Sequence, residues 1–164
     1  FMLHVYPLKD TDRNNFEKLF CDYYAELDCG EDAKHLIGEY IIPDLIAGLL
    51  HIDLINDNDE CAGFIIYQID DINNDWNLQE GYADIREIYI APEYRRKGTG
   101  RFLLYSAEMK LKEAGAKKSY CLPYAKAIPF FTACGYRNTD RYNDELDCFV
   151  FEKNSLNNGC SHNE

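Results

Sequence analysis

The sequence predicts an α/β fold in which helices cover both faces of a mixed central β-sheet. The first observation is the order of hydrophobic patterns along the chain, which reads β-α-α-β-β-β-α-β-α-β-β. The second is the length of 164 residues, which suits one domain with its own core, predicted over residues 1–153. The third is a hydrophobic fraction of 46% and an aromatic fraction of 14%, which argue against a disordered chain.

The N-terminal part is predicted to contain one strand and two helical regions. Residues 3–6 form the strand, and the polar residues 10–12 offer a cap for the first helix. The second helical region covers about residues 31–49, and we expect Pro43 to interrupt it because proline lacks an amide hydrogen. The first helix carries apolar side chains at helical spacing, namely Phe16, Leu19, Phe20, Tyr23, Tyr24 and Leu27.

Three strands are predicted in the middle of the chain, bounded by turn residues and rich in β-branched and aromatic side chains. They cover residues 51–55, 61–69 and 83–90. Residues 56–59 form the turn between the first two strands, and residues 70–81 form a polar loop that carries the only tryptophan, Trp76.

The C-terminal part is predicted to add two helices and three strands. The first helix covers residues 102–114, and Glu108 is expected to pair with Lys112 on its exposed side. Gly115 ends this helix. The other elements are a strand at 119–122, a short helix at 125–134 and final strands at 136–138 and 148–152. Residues 154–164 are predicted to form a disordered tail.

The turn between the 83–90 strand and the next helix is the most informative segment. It reads Tyr94-Arg95-Arg96-Lys97-Gly98-Thr99-Gly100-Arg101 and is basic in a chain of net charge −12. Amide groups at the start of a helix are unpaired and carry partial positive charge, and glycine lets that backbone approach a ligand closely. The turn therefore predicts an anion site, most plausibly for phosphate, built on the amides of residues 96–101.

Two better-known phosphate loops are disfavoured by the same segment. A dinucleotide-binding fingerprint needs a third glycine, but Gly98 and Gly100 are followed by Arg101-Phe102-Leu103. No G-x-x-x-x-G-K-[ST] sequence is present, which disfavours a nucleoside triphosphatase.

Two segments resemble the GNAT superfamily of acetyl-CoA-dependent N-acyltransferases. The superfamily signature is a strand followed by Q/R-x-x-G-x-G/A, and Arg95, Gly98 and Gly100 match that spacing after the strand. Residues 127–136, Ala-Ile-Pro-Phe-Phe-Thr-Ala-Cys-Gly-Tyr, resemble the A-I-x-F-Y-x-x-x-G-F block of the same family. The resemblance covers residues 83–153 and implies a single GNAT-like domain, an acetyl-CoA co-substrate and an N-acetyltransferase activity.

The resemblance also implies which residues hold the co-substrate. The turn would face the pyrophosphate of CoA, and the backbone of the preceding strand would pair with the pantetheine arm. In this sequence the implied co-substrate residues are Ile88, Tyr89, Ile90, Arg95, Arg96, Lys97, Gly98, Thr99, Gly100 and Arg101. The cationic side chains could add contacts to the phosphates.

The acceptor amine must lose a proton before it attacks the thioester. An alkyl amine has a pKa near ~10.4, so only about one molecule in a thousand is uncharged at neutral pH. A carboxylate beside the turn can take this proton, directly or through a water. Glu87 is the favoured base and Asp84 the alternative, and strand alternation predicts that they point to opposite faces.

The acid for the leaving thiolate is where the sequence departs from the family. Many members carry a tyrosine in the second block, but Phe131 occupies that position and has no proton to donate. Tyr124 is the favoured replacement, three residues before Ala127. The weaker alternatives are Tyr120, Cys134 and Tyr136, and the reaction could also proceed without a dedicated acid.

The composition of the chain limits the kinds of binding partner and the cellular compartment that we expect. Strong acidity disfavours nucleic acid and mildly favours a cationic acceptor, for which residues such as Tyr23, Tyr24 and Glu26 are available. No apolar run approaches the ~18 residues that span a membrane. Seven scattered cysteines without zinc-site spacing predict reduced thiols in a cytoplasmic protein without a metal. A homodimer is left open.

The leading hypothesis is transfer of an acetyl group from acetyl-CoA to a primary amine, most plausibly on a small cationic acceptor. Alternatives are a catalytically weak acyl-CoA-binding regulatory module, motivated by Phe131, and acetylation of a protein amine. A pure interaction domain whose basic turn binds another anion is the third reading.

Overall fold

The α/β fold predicted from the sequence is confirmed. The computed structural model describes residues 2–74, 77–154 and 156. Their strands form a mixed seven-stranded sheet in the order β1-β2-β3-β4-β5-β7-β6, numbered along the chain. Contacts divide the chain into a first unit, Phe1–Tyr67 with Glu87–Ala107, and a second unit, Gln68–Arg86 with Glu108–Glu164. Each unit is described by itself below.

The first unit begins with an antiparallel ladder. Strand β1 (Leu3–Pro7) pairs with β2 (His51–Asp57), and β2 pairs with β3 (Glu60–Ile69). A register shift between Ile55 and Asn56 marks a bulge in β2. Strand β4 (Ala83–Ile90) follows β3 in the sheet order, and its second half, from Glu87 onward, belongs to this unit.

The helices of the first unit lie in two stretches. A 3-10 turn (Asp10–Asp12) leads into α1 (Arg13–Leu27). The predicted cap is wrong in its contact: Asp12 precedes α1 but accepts the Lys9 amide, and its side chain makes no capping hydrogen bond to α1. A later helical stretch consists of α2 (Ala33–Leu36), a π-helical turn (Ile37–Ile41) and α3 (Ile42–Ile46). The predicted interruption at Pro43 is wrong because the stretch stays helical through it. The Ile42 amide donates to the Ile37 carbonyl, and this wider turn accommodates the proline.

Aromatic side chains form the core of the first unit. Phe16, Phe20 and Tyr23 of α1 pack against Phe64 of β3, and Tyr23 and Phe64 contact Tyr89 of β4. All five side chains are buried. The helical spacing of the α1 aromatics therefore predicted the buried face correctly, because side chains three and four residues apart share one side of a helix.

The second unit contains the C-terminal strands. Strand β5 (Ser119–Cys121) runs parallel to the first residues of β4 and antiparallel to β7 (Cys148–Lys153). Strand β6 (Arg137–Asn143) pairs with β7 at the edge and is longer than predicted. A 3-10 turn (Ala125–Ala127) precedes helix α5 (Ile128–Ala133).

Helix α4 (Thr99–Glu113) corrects two sequence-based expectations. It begins at Thr99, three residues before the predicted start, so the glycine-containing turn includes its first residues. Glu108 was expected to pair with Lys112 on the surface, and this is wrong. Glu108 is buried, and its carboxylate accepts a 2.8 Å hydrogen bond from Lys153 of β7.

Several expectations lie partly or wholly outside the described residues. Trp76 and most of the predicted disordered tail fall there, so the single-domain boundary at residue 153 stays a prediction. The six cysteines that the structure describes are free thiols. Within the described part of the chain, no helix is long and apolar enough to cross a membrane.

Candidate functional site

The turn after β4 presents the start of α4. Gly98 has a φ of +81°, a conformation that favours glycine, and its carbonyl accepts the amide of Phe102 at 3.0 Å. Gly98 is therefore the N-cap of the helix. The amides of Gly98, Thr99 and Gly100 precede the first helical hydrogen bond and have no acceptor within the helix. The strand-turn-helix conformation expected for an anion site is therefore present, and the site itself stays a prediction.

Thr99 adds a polar atom at the same helix start. Its side chain is 1% exposed, and its Oγ1 has no hydrogen-bond partner among the residues that the structure describes. A buried hydroxyl without a partner costs about 1–3 kcal/mol, so such groups are rare without a reason. Protein atoms cover this oxygen, so a phosphate at the helix start would bind the backbone amides and not the Thr99 hydroxyl.

Arg95 ties the turn to neighbouring elements. Its Nε donates to the Ile90 carbonyl at 2.7 Å, and one terminal nitrogen lies 2.9 and 2.8 Å from the two carboxylate oxygens of Glu26. The guanidinium also lies 5.4 Å from the centre of the Tyr89 ring. The side chain of Arg95 thus links the end of β4 to α1 within the first unit.

Lys97 is anchored in a similar way. Its Nζ lies 3.5 Å from the buried carboxylate of Asp57 at the end of β2 and 5.7 Å from the centre of the Tyr94 ring. Tyr94 in turn donates to Glu60. Arg96 and Arg101 are both exposed. Two of the four predicted phosphate-binding cations are therefore engaged with carboxylates of the first unit.

The end of β4 is shaped by a close approach of β3. A Cβ added to Gly63 would lie 2.2 Å from the Tyr89 carbonyl oxygen, so only glycine fits this position. The Tyr89 ring lies in the core, and its hydroxyl donates to Glu26 at 3.1 Å. Burial and this bond raise the pKa of Tyr89 to about 12. A role for Tyr89 toward a ligand would therefore use its backbone, as the resemblance implied for Ile88, Tyr89 and Ile90.

Glu87 is surrounded by hydroxyl donors from α1. Tyr23 donates to Glu87 Oε2 at 2.5 Å, and Tyr24 donates to Oε1 at 3.2 Å. Glu87 is half-buried, and Tyr23 is 9% exposed. The sequence had placed both tyrosines on the acceptor side but had not paired them with Glu87. The sequence feature that could have indicated this pairing is the position of both tyrosines on the aromatic face of α1.

Asp84 has a different setting in the second unit. It is buried and lies directly opposite Tyr120 in the parallel ladder. The Tyr120 hydroxyl donates to Asp70, and burial followed by the charge of Asp84 raises the pKa of Tyr120 far above the ordinary value. Asp84 thus belongs to a buried polar cluster, whereas Glu87 lies half-exposed next to the residues that lead to the turn.

The tyrosines of the second unit that could protonate the leaving thiolate differ in how deeply they are buried. Tyr136 is buried and shares a 2.7 Å hydrogen bond with Ser119, and burial raises its pKa well above the ordinary value. Phe131 is 4% exposed and packs edge-on against the Tyr136 ring. Tyr124 is 47% exposed at the start of the 3-10 turn before α5. Because Tyr120 is buried as well, Tyr124 is the tyrosine of this set with an accessible ring.

The family model described as "Acetyltransferase (GNAT) family" matches residues 13–136. The comparison with curated protein sequences gives no significant match.

Solved structures share the fold at low sequence identity. The PaiA N-acetyltransferase from Thermoplasma acidophilum, in complex with coenzyme A, has a TM-score of 0.71 and 18% identity, covering 94% of this chain and 100% of that one. A GNAT-family acetyltransferase from Staphylococcus aureus has a TM-score of 0.73 and 16% identity, covering 93% and 99%. A ribosomal-protein alanine N-acetyltransferase from Escherichia coli has a TM-score of 0.63 and 17% identity, covering 92% and 91%.

Proposed function

Because the chain belongs to the GNAT acetyltransferase family, we propose that it transfers the acetyl group of acetyl-CoA to a primary amine. The observation that carries this proposal is the start of α4, where the amides of Gly98, Thr99 and Gly100 precede the first helical hydrogen bond and have no acceptor within the helix. That arrangement suits the pyrophosphate of CoA. The structure with coenzyme A among the similar folds supports the same co-substrate.

We propose Glu87 as the base and Tyr124 as the acid of a direct transfer. When bound, acetyl-CoA supplies an acetyl thioester. The amine nitrogen forms a bond to the acetyl carbon while the carbon–sulfur bond breaks, Glu87 takes the proton of the amine, and Tyr124 gives a proton to the thiolate. Support for Glu87 is that this residue is only partly buried near the end of β4, and support for Tyr124 is that this residue is exposed.

A small cationic amine is the acceptor that we favour. The net charge of −12 suits a cation, because it favours the approach of a positively charged acceptor. A protein amine is the alternative, and the similarity to a ribosomal-protein alanine N-acetyltransferase motivates it. A cytoplasmic location and a homodimer both stay predictions.

A catalytically weak acyl-CoA-binding module is the second candidate function. Phe131 motivates it, because this position is buried and carries no proton for the leaving thiolate. The two candidates share the co-substrate site and differ only in turnover.

Two measurements, made one after the other, test the proposal. Calorimetric titration with acetyl-CoA should show binding, and no binding at millimolar concentration would remove both candidates. Thiol release is then measured with a cationic diamine, a neutral alkyl amine and a peptide with a free N-terminal alanine. Turnover that is highest with the diamine supports the proposal, turnover with the peptide alone indicates a protein acceptor, and no turnover indicates the binding module.

Variants at the base and the acid assign the roles. Glu87→Gln should lower kcat by about 100-fold while acetyl-CoA still binds, since a positioned base contributes about this much. Glu93→Gln, at an exposed site before the turn, is the matched control. If Glu87→Gln leaves kcat and its pH dependence unchanged, the base is Asp84 or bulk water. Tyr124→Phe should lower kcat with unchanged binding, and an unchanged kcat would leave the reaction without a dedicated acid.

A further inference from the structure

The two oxygens of the Glu87 carboxylate each accept a hydrogen bond from a different tyrosine. Tyr23 donates to Oε2 at 2.5 Å, and the next residue in α1, Tyr24, donates to Oε1 at 3.2 Å. Both donors come from a segment more than sixty residues away in sequence, with separations of 64 and 63 residues. The orientation of the carboxylate is therefore set by helix α1 as well as by its own strand.

The tyrosine rings are themselves held by the aromatic core. The Tyr23 ring packs edge-on against Tyr24 and Phe64, with ring centres 5.3 and 5.9 Å apart, and lies 5.4 Å from Tyr89. The Tyr24 ring stacks on Phe20 with centres 4.7 Å apart. Neither hydroxyl can leave the carboxylate by a change of the χ1 angle without the loss of these contacts.

Hydroxyl donors favour the charged form of a carboxylate, because they stabilise negative charge that a protonated group lacks. We infer that Tyr23 and Tyr24 are positioning residues, which orient the Glu87 carboxylate and keep it ionised so that it can accept the proton of the amine. This inference rests on the proposed function. It adds to that function a role for two side chains that act through Glu87 and not on the reacting atoms.

A purely structural role for the two tyrosines makes different predictions. Tyr67 provides the comparison, since its hydroxyl donates to the buried carboxylate of Asp53 at 2.7 Å in the same unit. Tyr67→Phe therefore removes the same kind of bond at a site that the proposed chemistry does not use. Tyr23→Phe and Tyr24→Phe keep their rings, so the aromatic packing is preserved in all three variants.

The first measurement follows the Glu87 carboxyl carbon by carbon-13 NMR during a pH titration of the protein without co-substrate. The resonance is assigned by its loss in Glu87→Gln. The midpoint should rise by about one pH unit in Tyr23→Phe, since two or three donors shift a carboxylate by about two units. The rise should be smaller in Tyr24→Phe, where the bond is longer, and absent in Tyr67→Phe.

The second measurement is the pH dependence of kcat. Its acidic limb should move to higher pH in Tyr23→Phe by the same amount as the NMR midpoint, with acetyl-CoA affinity unchanged, and should stay in place in Tyr67→Phe. If Tyr23→Phe and Tyr24→Phe both behave like Tyr67→Phe in an active enzyme, the inference is wrong and the proposed function stands. If the wild-type protein binds acetyl-CoA but acetylates no amine, the proposed function is wrong, and the inference fails with it.

Discussion

Arg95 and Glu26 form a charged pair that joins the glycine-containing turn to helix α1. The guanidinium lies 2.8 and 2.9 Å from the two carboxylate oxygens, while its Nε binds the Ile90 carbonyl. The arginine that completes the family signature is thus engaged with the protein itself. We expect this pair to hold the turn in the conformation that exposes the amides of α4.

Removal of the Glu26 carboxylate tests this role of Arg95. Glu26→Ala should weaken acetyl-CoA binding by about two- to fivefold, as expected for the loss of a half-exposed ion pair. Calorimetry measures the change, and Glu17→Ala is the control because Glu17 pairs with Arg13 elsewhere on the same helix. Tighter binding in Glu26→Ala would contradict this role, since it would mean that the released Arg95 contacts a phosphate.

The conformation of Gly98 yields a second prediction. Gly98 and Gly115 flank the two ends of α4, both have positive φ angles, +81° and +93°, and both have open space where a Cβ atom would lie. Gly98→Glu and Gly115→Glu should therefore each lose about 1 kcal/mol of unfolding free energy from backbone strain. Acetyl-CoA binding should be lost in Gly98→Glu alone, because its side chain would occupy the approach to the helix amides and repel phosphate.

Chemical denaturation and calorimetry on the two glycine variants separate strain from ligand binding. Equal loss of affinity in both variants would attribute the effect to strain. Retained affinity in Gly98→Glu would place the phosphate site elsewhere.

The buried hydroxyl of Thr99 yields a third prediction with two readouts. Thr99→Val replaces the hydroxyl by a methyl group of similar size and removes a buried group without a partner among the described residues. The unfolding free energy without ligand should rise by about 1 kcal/mol. Acetyl-CoA affinity should stay the same, because protein atoms cover the hydroxyl and a phosphate at the helix start would bind the backbone amides.

Denaturation without ligand and calorimetry with acetyl-CoA measure these two effects. Thr132→Val, at an exposed site on α5, is the control for a surface threonine and should change neither quantity. A weaker affinity in Thr99→Val would contradict this prediction, since it would mean that the hydroxyl contacts the co-substrate.

The buried Glu108 yields a prediction about pH. Burial raises the pKa of Glu108 above its ordinary value of 4.5, despite the bonds from Lys153 and Tyr136. The folded state therefore keeps this proton to higher pH than the unfolded state does. The free energy of unfolding that this group contributes falls as pH rises from 4.5 through the folded-state pKa.

Glu108→Gln removes that ionisation. Relative to Glu108→Gln, the wild type should lose unfolding free energy as pH rises from 4.5 through the folded-state pKa of Glu108, as measured by urea denaturation. Glu113→Gln, at the exposed end of α4, should show no such shift with pH. A pH-independent difference for Glu108→Gln would contradict the role of burial.

The segment from β4 to α4 was predictable from the sequence because its structure is local. Gly98 lies within a few residues of the helix start and of four cationic side chains. Spacing alone therefore indicates a candidate anion site. The same holds for the buried face of α1, which follows from helical periodicity. The family block near Phe131 likewise lies in one short segment.

The partners of the charged and polar side chains were decided by the tertiary structure. Glu87 meets Tyr23 across 64 residues, and Lys153 meets Glu108 across 45 residues. Helical periodicity predicted Lys112 as the partner of Glu108 because it describes only residues of the same helix. It carries no information about Lys153, which strand β7 brings next to Glu108.

The order of elements, the strand-turn-helix conformation around Gly98, and the candidates for the anion site and the base therefore follow from local pattern. The tertiary structure adds that Arg95 and Lys97 anchor the turn, that the Thr99 hydroxyl is buried at the helix start, and that two tyrosines hold Glu87. The physical reason is chain distance. Propensity, capping and periodicity act over a few residues, whereas these contacts form only when packing brings distant segments together.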